Sequence, residues 1–178
     1  MNLVAVDTVA DDEWALLDAA DAIIFGCPTY MCNVSAGFQA FAERTGRRCI
    51  EGTWRDKVGA GFTNSGAKAG DKLQTLSALS VFAAQHHMHW VNLRLPPRWN
   101  TSGASEFELN RLGFWLGAGA STDVDAGPAT APRRHRDRTA AGRAAVDHLY
   151  VSGVISCSRV GTSSLTVGWM CMVRDIAV

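Results

Sequence analysis

In AIIFGCPTYMCNVSAGFQAFAERTG, residues 22–46, an apolar run meets a polar loop and then an amphipathic segment. Ala22, Ile23, Ile24 and Phe25 show no polar alternation and predict a strand covered on both faces, as in a parallel sheet. Cys27, Pro28, Thr29, Tyr30, Met31, Cys32 and Asn33 read as a loop. Residues 35–45 predict a helix with Phe38, Phe41 and Ala42 on one face and Gly46 as its stop. The unit recurs downstream. Residues 58–62 predict a second strand, weakened by its glycines, and Thr63, Asn64, Ser65 and Gly66 a second loop. Residues 71–85 predict a helix, with Leu73, Leu76, Leu79, Phe82 and Ala83 at helical spacing. Residues 88–93 predict a third strand, ended by Pro96 and Pro97. Upstream, Thr8 and Asp11 have the shape of a capping box for a helix over 8–20. Strands alternating with helices predict an α/β fold with a parallel sheet and right-handed crossovers.

The remaining segments carry less signal. Residues 112–121 are apolar and glycine-rich, and periodicity does not choose a conformation for them. Residues 123–132 read as a loop and 137–150 as an Ala-rich helix. Residues 151–178 are rich in Val, Ser, Cys and Met without helical period, and both strand and disorder stay open there. The expected organisation is one domain over 1–150 and a separate tail over 151–178.

Composition narrows the function. Lys and Arg number 17 against 17 Asp and Glu, which disfavours a nucleic-acid binder. Hydrophobic residues make up 47%, enough for a globular core, and no apolar run reaches the length of a membrane helix. The start, MNLVAVDTVADDEW, lacks the basic region of a signal peptide, so a cytoplasmic protein is expected. Five cysteines at irregular positions outline neither a disulfide framework nor a zinc site. The Gln85-His86-His87-Met88-His89 run lacks a third ligand at local spacing and reads as a polar helix end rather than a metal site. Residues 61–68 nearly spell a P-loop, but Ala67 separates Gly66 from Lys68 and no Ser or Thr follows.

In an open parallel sheet, ligands bind at the carboxyl ends of the strands. Both polar loops fall there. The first offers an aromatic ring, a hydroxyl and an amide; the second offers short polar side chains and a Gly. Such a set suits the hydrogen-bonding edge of a flat heterocycle. A plain turn at Pro28 and Thr29 and a helix cap at 63–66 are the structural alternative.

Residues 22–46, together with DKVGAGFTNSGAKAGDKLQTLSALSVFAAQHHMHWV at 56–91, resemble the flavodoxin-like NAD(P)H:quinone oxidoreductases of the tryptophan-repressor-binding-protein type. NRLGFWLGAGAS at 110–121 and the Ala-rich helix near Arg143 also fit that family. The resemblance implies a flavodoxin-like three-layer sandwich, bound FMN, and electron transfer from NAD(P)H to small-molecule quinones, with no nucleic-acid or membrane partner. Homo-oligomers, commonly tetramers, are implied as well. By position, Thr29, Tyr30 and Met31 would line the flavin ring. Asn64, Ser65 and Gly66 would hydrogen-bond near its pyrimidine end, with Ala67, Lys68 and Ala69 completing the loop. Gln85 and His86 would approach FMN, often from a neighbouring subunit. Cys49 falls where many members place a Trp beside the substrate, a role not transferred to Trp54. No side chain is implied as a general acid or base.

The family begins with a strand, a phosphate loop, a helix and a second strand. This chain starts after them, with LVAVDTVA as the end of the next connection, so an N-terminally incomplete fold is expected. The first strand is central in a 2-1-3-4-5 sheet, so the strand at 22–25 is expected to have an open apolar edge. The tail is expected to be foreign to the fold and dispensable for stability. Cys32 and His87 stand where the family has Gly, which predicts strain if the backbone there has positive φ. Alternative readings are an FMN reductase, a flavodoxin-like electron carrier, and a truncated member without cofactor.

Overall fold

The computed structural model describes residues 2–121 and the strand at 170–174. The loop expected over 123–132 and the helix over 137–150 lie outside the described residues. Strand β1 is Asn2–Ala5, not the end of a connection, and helix α1 is Asp11–Ala19. The capping box expected of Thr8 and Asp11 does not form. Instead the Ala10 N–H donates to Glu13 Oε2 at 2.9 Å, so Glu13 closes the first turn.

Strand β2, Ala22–Pro28, is buried from Ala22 to Cys27, which is why its sequence runs apolar without alternation. Helix α2, Ala36–Arg44, starts on Ser35, whose Oγ accepts from the Phe38 N–H at 3.0 Å. α2 ends next to Gly46 as expected, but Gly46 is not what stops it. Thr45 stays right-handed and the chain continues into α3, Gly46–Glu51, which ends at Gly52 with φ 68°. Only that glycine adopts the left-handed conformation that ends a helix.

Strand β3, Val58–Ser65, is longer than expected and absorbs the start of the predicted second loop. Its glycines are packing devices. A Cβ at Gly61 would lie 2.7 Å from Trp90 Cη2, and one at Gly26 would strike the Phe62 ring. Helix α4, Lys72–Gln85, matches the expected helix. The expected strand at 88–93 contracts to β4, His89–Trp90, and β5, Ala118–Ser121, takes up the same edge of β3 further on. Between them residues 91–117 leave the sheet, and the chain returns where the Leu93 N–H meets Trp115 O at 3.0 Å and Trp90 Nε1 meets Leu116 O at 2.9 Å.

The sheet order is β1-β6-β2-β3-β4, with β5 also on β3, where β6 is Met170–Arg174. β2 runs parallel to β3, and β3 parallel to β4 and β5. β6 is antiparallel to both β1 and β2, so β1 and β2 run the same way. The expectations of an open edge at 22–25 and of a tail foreign to the fold therefore do not hold. Ile23, Ile24 and Phe25 pair with Val173, Met172 and Cys171. A buried apolar strand with bare N–H and C=O groups is costly, and β6 satisfies them.

The crossovers through α1, α2 and α4 all step the same way across parallel strands, so right-handedness sets these helices on one face. Trp14 and Leu17 from α1, Phe38 and Phe41 from α2, and Leu79 and Phe82 from α4 share one core with Ile23 and Phe25. Phe82 meets Phe25 edge-on at 5.3 Å, and Trp54 packs beside it at 6.3 Å. Among the described residues no helix is long and apolar enough to cross a membrane.

Candidate functional site

Parallel pairing of β2 and β3 carries both polar loops to one end of the sheet. The Thr29 N–H extends the ladder to Asn64 O at 2.9 Å. The Thr29 hydroxyl turns inward, donating to Thr75 Oγ1 at 2.8 Å and lying 2.7 Å from Thr63 Oγ1. All three hydroxyls are buried, and they pin the first loop to β3 and α4. Thr29 thus offers a crevice its backbone rather than its side chain.

Beyond it the chain makes a tight reversal. Tyr30 and Asn33 exchange backbone hydrogen bonds at 3.0 Å across Met31 and Cys32, whose φ angles are 48° and 62°. Two successive positive φ values are the mark of a I′ turn, so the strain expected at Cys32 is present, and His87 has φ 60° as well. The turn leaves Met31 97% exposed and Tyr30 58% exposed. Cys32 Sγ donates to Asp71 Oδ2 at 3.4 Å, tying this tip to the second loop, and that bond pushes the thiol up.

The second loop, 66–70, has a consistent polarity. Gly66 O accepts from Ser121 Oγ at 3.4 Å. Ala67 O accepts from Ser65 Oγ at 3.0 Å and from Lys72 Nζ at 2.6 Å. Lys68 O and Ala69 O accept from Lys72 Nζ at 2.9 and 3.5 Å. A trans peptide points each N–H opposite the preceding C=O. The N–H groups of Ala67, Lys68, Ala69 and Gly70 therefore turn away from these donors, and none meets a protein acceptor among the described residues. Asn64 and Ser65 are half-buried at the base of this loop, and Lys68 Nζ lies 5.8 Å from the Trp99 ring.

The remaining sequence-predicted residues are elsewhere. Gln85 and His86 sit at the far end of α4, about 20 Å along the helix from Lys72. Cys49 is beside them, its Sγ donating to Gln85 O at 3.2 Å. His86 is 2% exposed, its ring between Trp54 and Phe82 at centroid distances of 4.6 and 4.8 Å. Thr45 Oγ1 gives its proton to Ala42 O at 2.7 Å, so His86 Nε2 donates to Thr45 at 2.9 Å and Nδ1 is left bare. Burial lowers His86 to about 4, so the ring is neutral at physiological pH. Among the described residues no group of three His, Cys, Asp or Glu is placed to hold a metal.

Sequence reasoning missed Lys72, Thr75 and Asp71. Their signal was present: Lys72, Thr75, Leu76 and Leu79 fall on one helical stripe, so two polar residues occupy core positions.

The sheet is mixed, but its parallel strands β2 and β3 bring two βα loops to their carboxyl ends, the edge where open α/β sheets bind ligands. The comparisons place this architecture in a family. The profile of the NADPH-dependent FMN reductase family matches residues 12–94. Flavodoxin FldP of Pseudomonas aeruginosa is 41% identical over 70% of this chain and 69% of its own length. An NAD(P)H dehydrogenase (quinone) of Archaeoglobus fulgidus is 38% identical over 58% of this chain, which spans only 49% of that relative. The crystal structure of a flavodoxin, WrbA-like protein from Agrobacterium tumefaciens is similar at TM-score 0.50 and 36% identity, covering 79% of this chain and 76% of that one. The chain belongs to this flavodoxin-like FMN reductase and quinone oxidoreductase family. β6 occupies the place beside β2 that the first strand holds in a 2-1-3-4-5 order, but runs the other way.

Proposed function

We propose that this protein is an FMN-dependent oxidoreductase that takes electrons from NAD(P)H and delivers them to a quinone. The observation that carries the reading is the loop at 66–70, whose Ala67, Lys68 and Ala69 carbonyls are held by the buried Lys72 while its N–H groups meet no protein acceptor among the described residues, and which the Cys32–Asp71 bond ties to the Tyr30–Asn33 turn. A row of N–H donors fits the carbonyl-bearing edge of an isoalloxazine ring, so the residues present suit FMN. In this reading Asn64, Ser65, Gly66, Ala67, Lys68 and Ala69 hold the ring edge, and Thr29, Tyr30 and Met31 border it. FMN held by these residues would supply the redox chemistry that links a nicotinamide donor to the acceptor. The protein binds and orients, and none of its side chains is required as an acid or base.

Gln85 and Cys49 serve a flavin site in this proposal only from a second copy, because α4 separates them from their own chain's loops. His86, enclosed in the core, then supports that end rather than touching ligand. A homo-oligomer is therefore part of the proposal. So is a cytoplasmic setting, which suits the free Cys27, Cys32 and Cys49.

The test is oxidation of NADH or NADPH in the presence of a quinone, with and without added FMN. FMN-dependent turnover supports the proposal. A second reading, a flavodoxin-like electron carrier, is favoured by the similarity to a protein named a flavodoxin. It predicts flavin binding with no nicotinamide oxidation.

A further inference from the structure

We propose that Lys72 is a positioning residue for the flavin loop: its protonated ammonium gathers the carbonyls of Ala67, Lys68 and Ala69, turns the loop amides outward, and gives flavin binding an alkaline limit. The proposal rests on the flavin reading of that loop.

The geometry is specific. Lys72 is 0% exposed, yet it opens α4, where the helix dipole disfavours a cation. Among the described residues no carboxylate pairs with it. Its Nζ instead reaches back to three consecutive loop carbonyls, at 2.6, 2.9 and 3.5 Å. A neutral amine has one fewer donor and no charge, so it cannot hold these oxygens equally well. Without that grip Ala67 O keeps Ser65 Oγ and Ala69 O keeps the Lys72 N–H at 3.2 Å, but Lys68 O has no other donor among the described residues, so its peptide plane is released and the amide row is broken at Ala69.

The surroundings favour loss of the proton. Burial foremost, and then the charge of Arg111 from the 91–117 segment, lower Lys72 to about 8. Arg111 itself lies 4.0 Å from Glu106. Lys68, on the loop, stands over Trp99, and the Asp71 carboxylate next in the chain accepts from Cys32.

Two effects of opposite sign follow. The unfolded chain keeps an ordinary lysine near 10.5, so between about 8 and 10.5 it binds more protons than the folded chain. The group's contribution to stability therefore rises with pH across this window. Flavin affinity is expected to fall across the same window, so the loss of binding is not unfolding.

The experiment uses the full chain with riboflavin as the probe, which carries no phosphate to titrate. Riboflavin fluorescence quenching is measured from pH 7 to 9.5 on wild type and Lys72→Met, and the 13C shifts of the Ala67, Lys68 and Ala69 carbonyls are followed without flavin. Wild-type affinity is expected to fall about tenfold with a midpoint near 8, and the carbonyl shifts to move with the same midpoint. In Lys72→Met, affinity should be about tenfold weaker at pH 7 and flat with pH, with no carbonyl titration. Equal affinities and pH profiles in the two proteins overturn the proposal, as do wild-type carbonyl shifts that do not titrate. If riboflavin binds neither protein while the carbonyls titrate, the loop device stands and the flavin reading fails.

Discussion

The two ends of α4 each bury a basic side chain, and the outcomes differ. At the start, burial lowers Lys72 to about 8, still charged at neutral pH, and its three donors go to loop carbonyls. At the finish, burial lowers His86 to about 4, and the neutral ring becomes one more plate in an aromatic stack with Trp54 and Phe82. The physical cause is the same, loss of hydration around a cation. The starting points differ: an ammonium has proton affinity to spare, and an imidazole does not. One end of the helix is consequently a charged device that shapes a loop, and the other is packing.

The largest expected effect removes the sheet that both ends depend on. Deleting 170–178 strips β6 from between β1 and β2, and most soluble yield should be lost, with no cooperative melt in what remains. An unchanged melting curve would mean that β6 adds nothing. Next, Trp54→Ala empties the finish of α4, where the ring is fully buried and bonds Asp18 Oδ1 at 2.9 Å. A loss of about 3–5 kcal/mol is expected by urea denaturation.

Acid probes the same end more gently. The folded value of His86 lies below its ordinary 6.5, so the unfolded chain takes up protons first. The stability His86 contributes is complete above 6.5 and declines as pH falls toward 4, by on the order of 2–3 kcal/mol. Urea midpoints for wild type and His86→Phe across this range should converge at low pH. The smallest expected effect is at the loops. FMN and riboflavin should bind within about tenfold of each other, because the described loop atoms suit the ring both flavins share. A strong FMN preference would locate a phosphate grip elsewhere, with Arg94 and Arg98 the first side chains to replace.

How much was legible follows from what each segment depends on. Ala22 to Phe25 and the 71–85 helix are local patterns answering to burial on two faces or one, and both form where their periodicity says. The polar segments at 27–33 and 63–66 were legible as loops following two strands, and β2–β3 pairing brings them together. Gly46 misled because a glycine ends a helix only when its φ is positive, and Gly52 has that φ instead. The third strand came out short because 91–117 interrupts it, and β5 completes the edge from a glycine-rich stretch with no strand periodicity of its own. β6 was illegible because its partner strands are remote in sequence. Lys72 was overlooked because a lysine at a helix start reads as solvated, although it shares the helical stripe of Leu76 and Leu79.

The most direct test of the central claim is a titration of FMN fluorescence with the purified full chain. Thr29→Val, which removes the hydroxyl pinning the first loop, and Arg55→Gln, an exposed side chain just ahead of β3 at the opposite end of the sheet, serve as the two reference variants. Saturable quenching at one flavin per chain is expected, weakened about tenfold by Thr29→Val and unchanged within about twofold by Arg55→Gln. No quenching by any of the three proteins, or quenching that responds to Arg55 and not to Thr29, would contradict a flavin site at the carboxyl ends of β2 and β3.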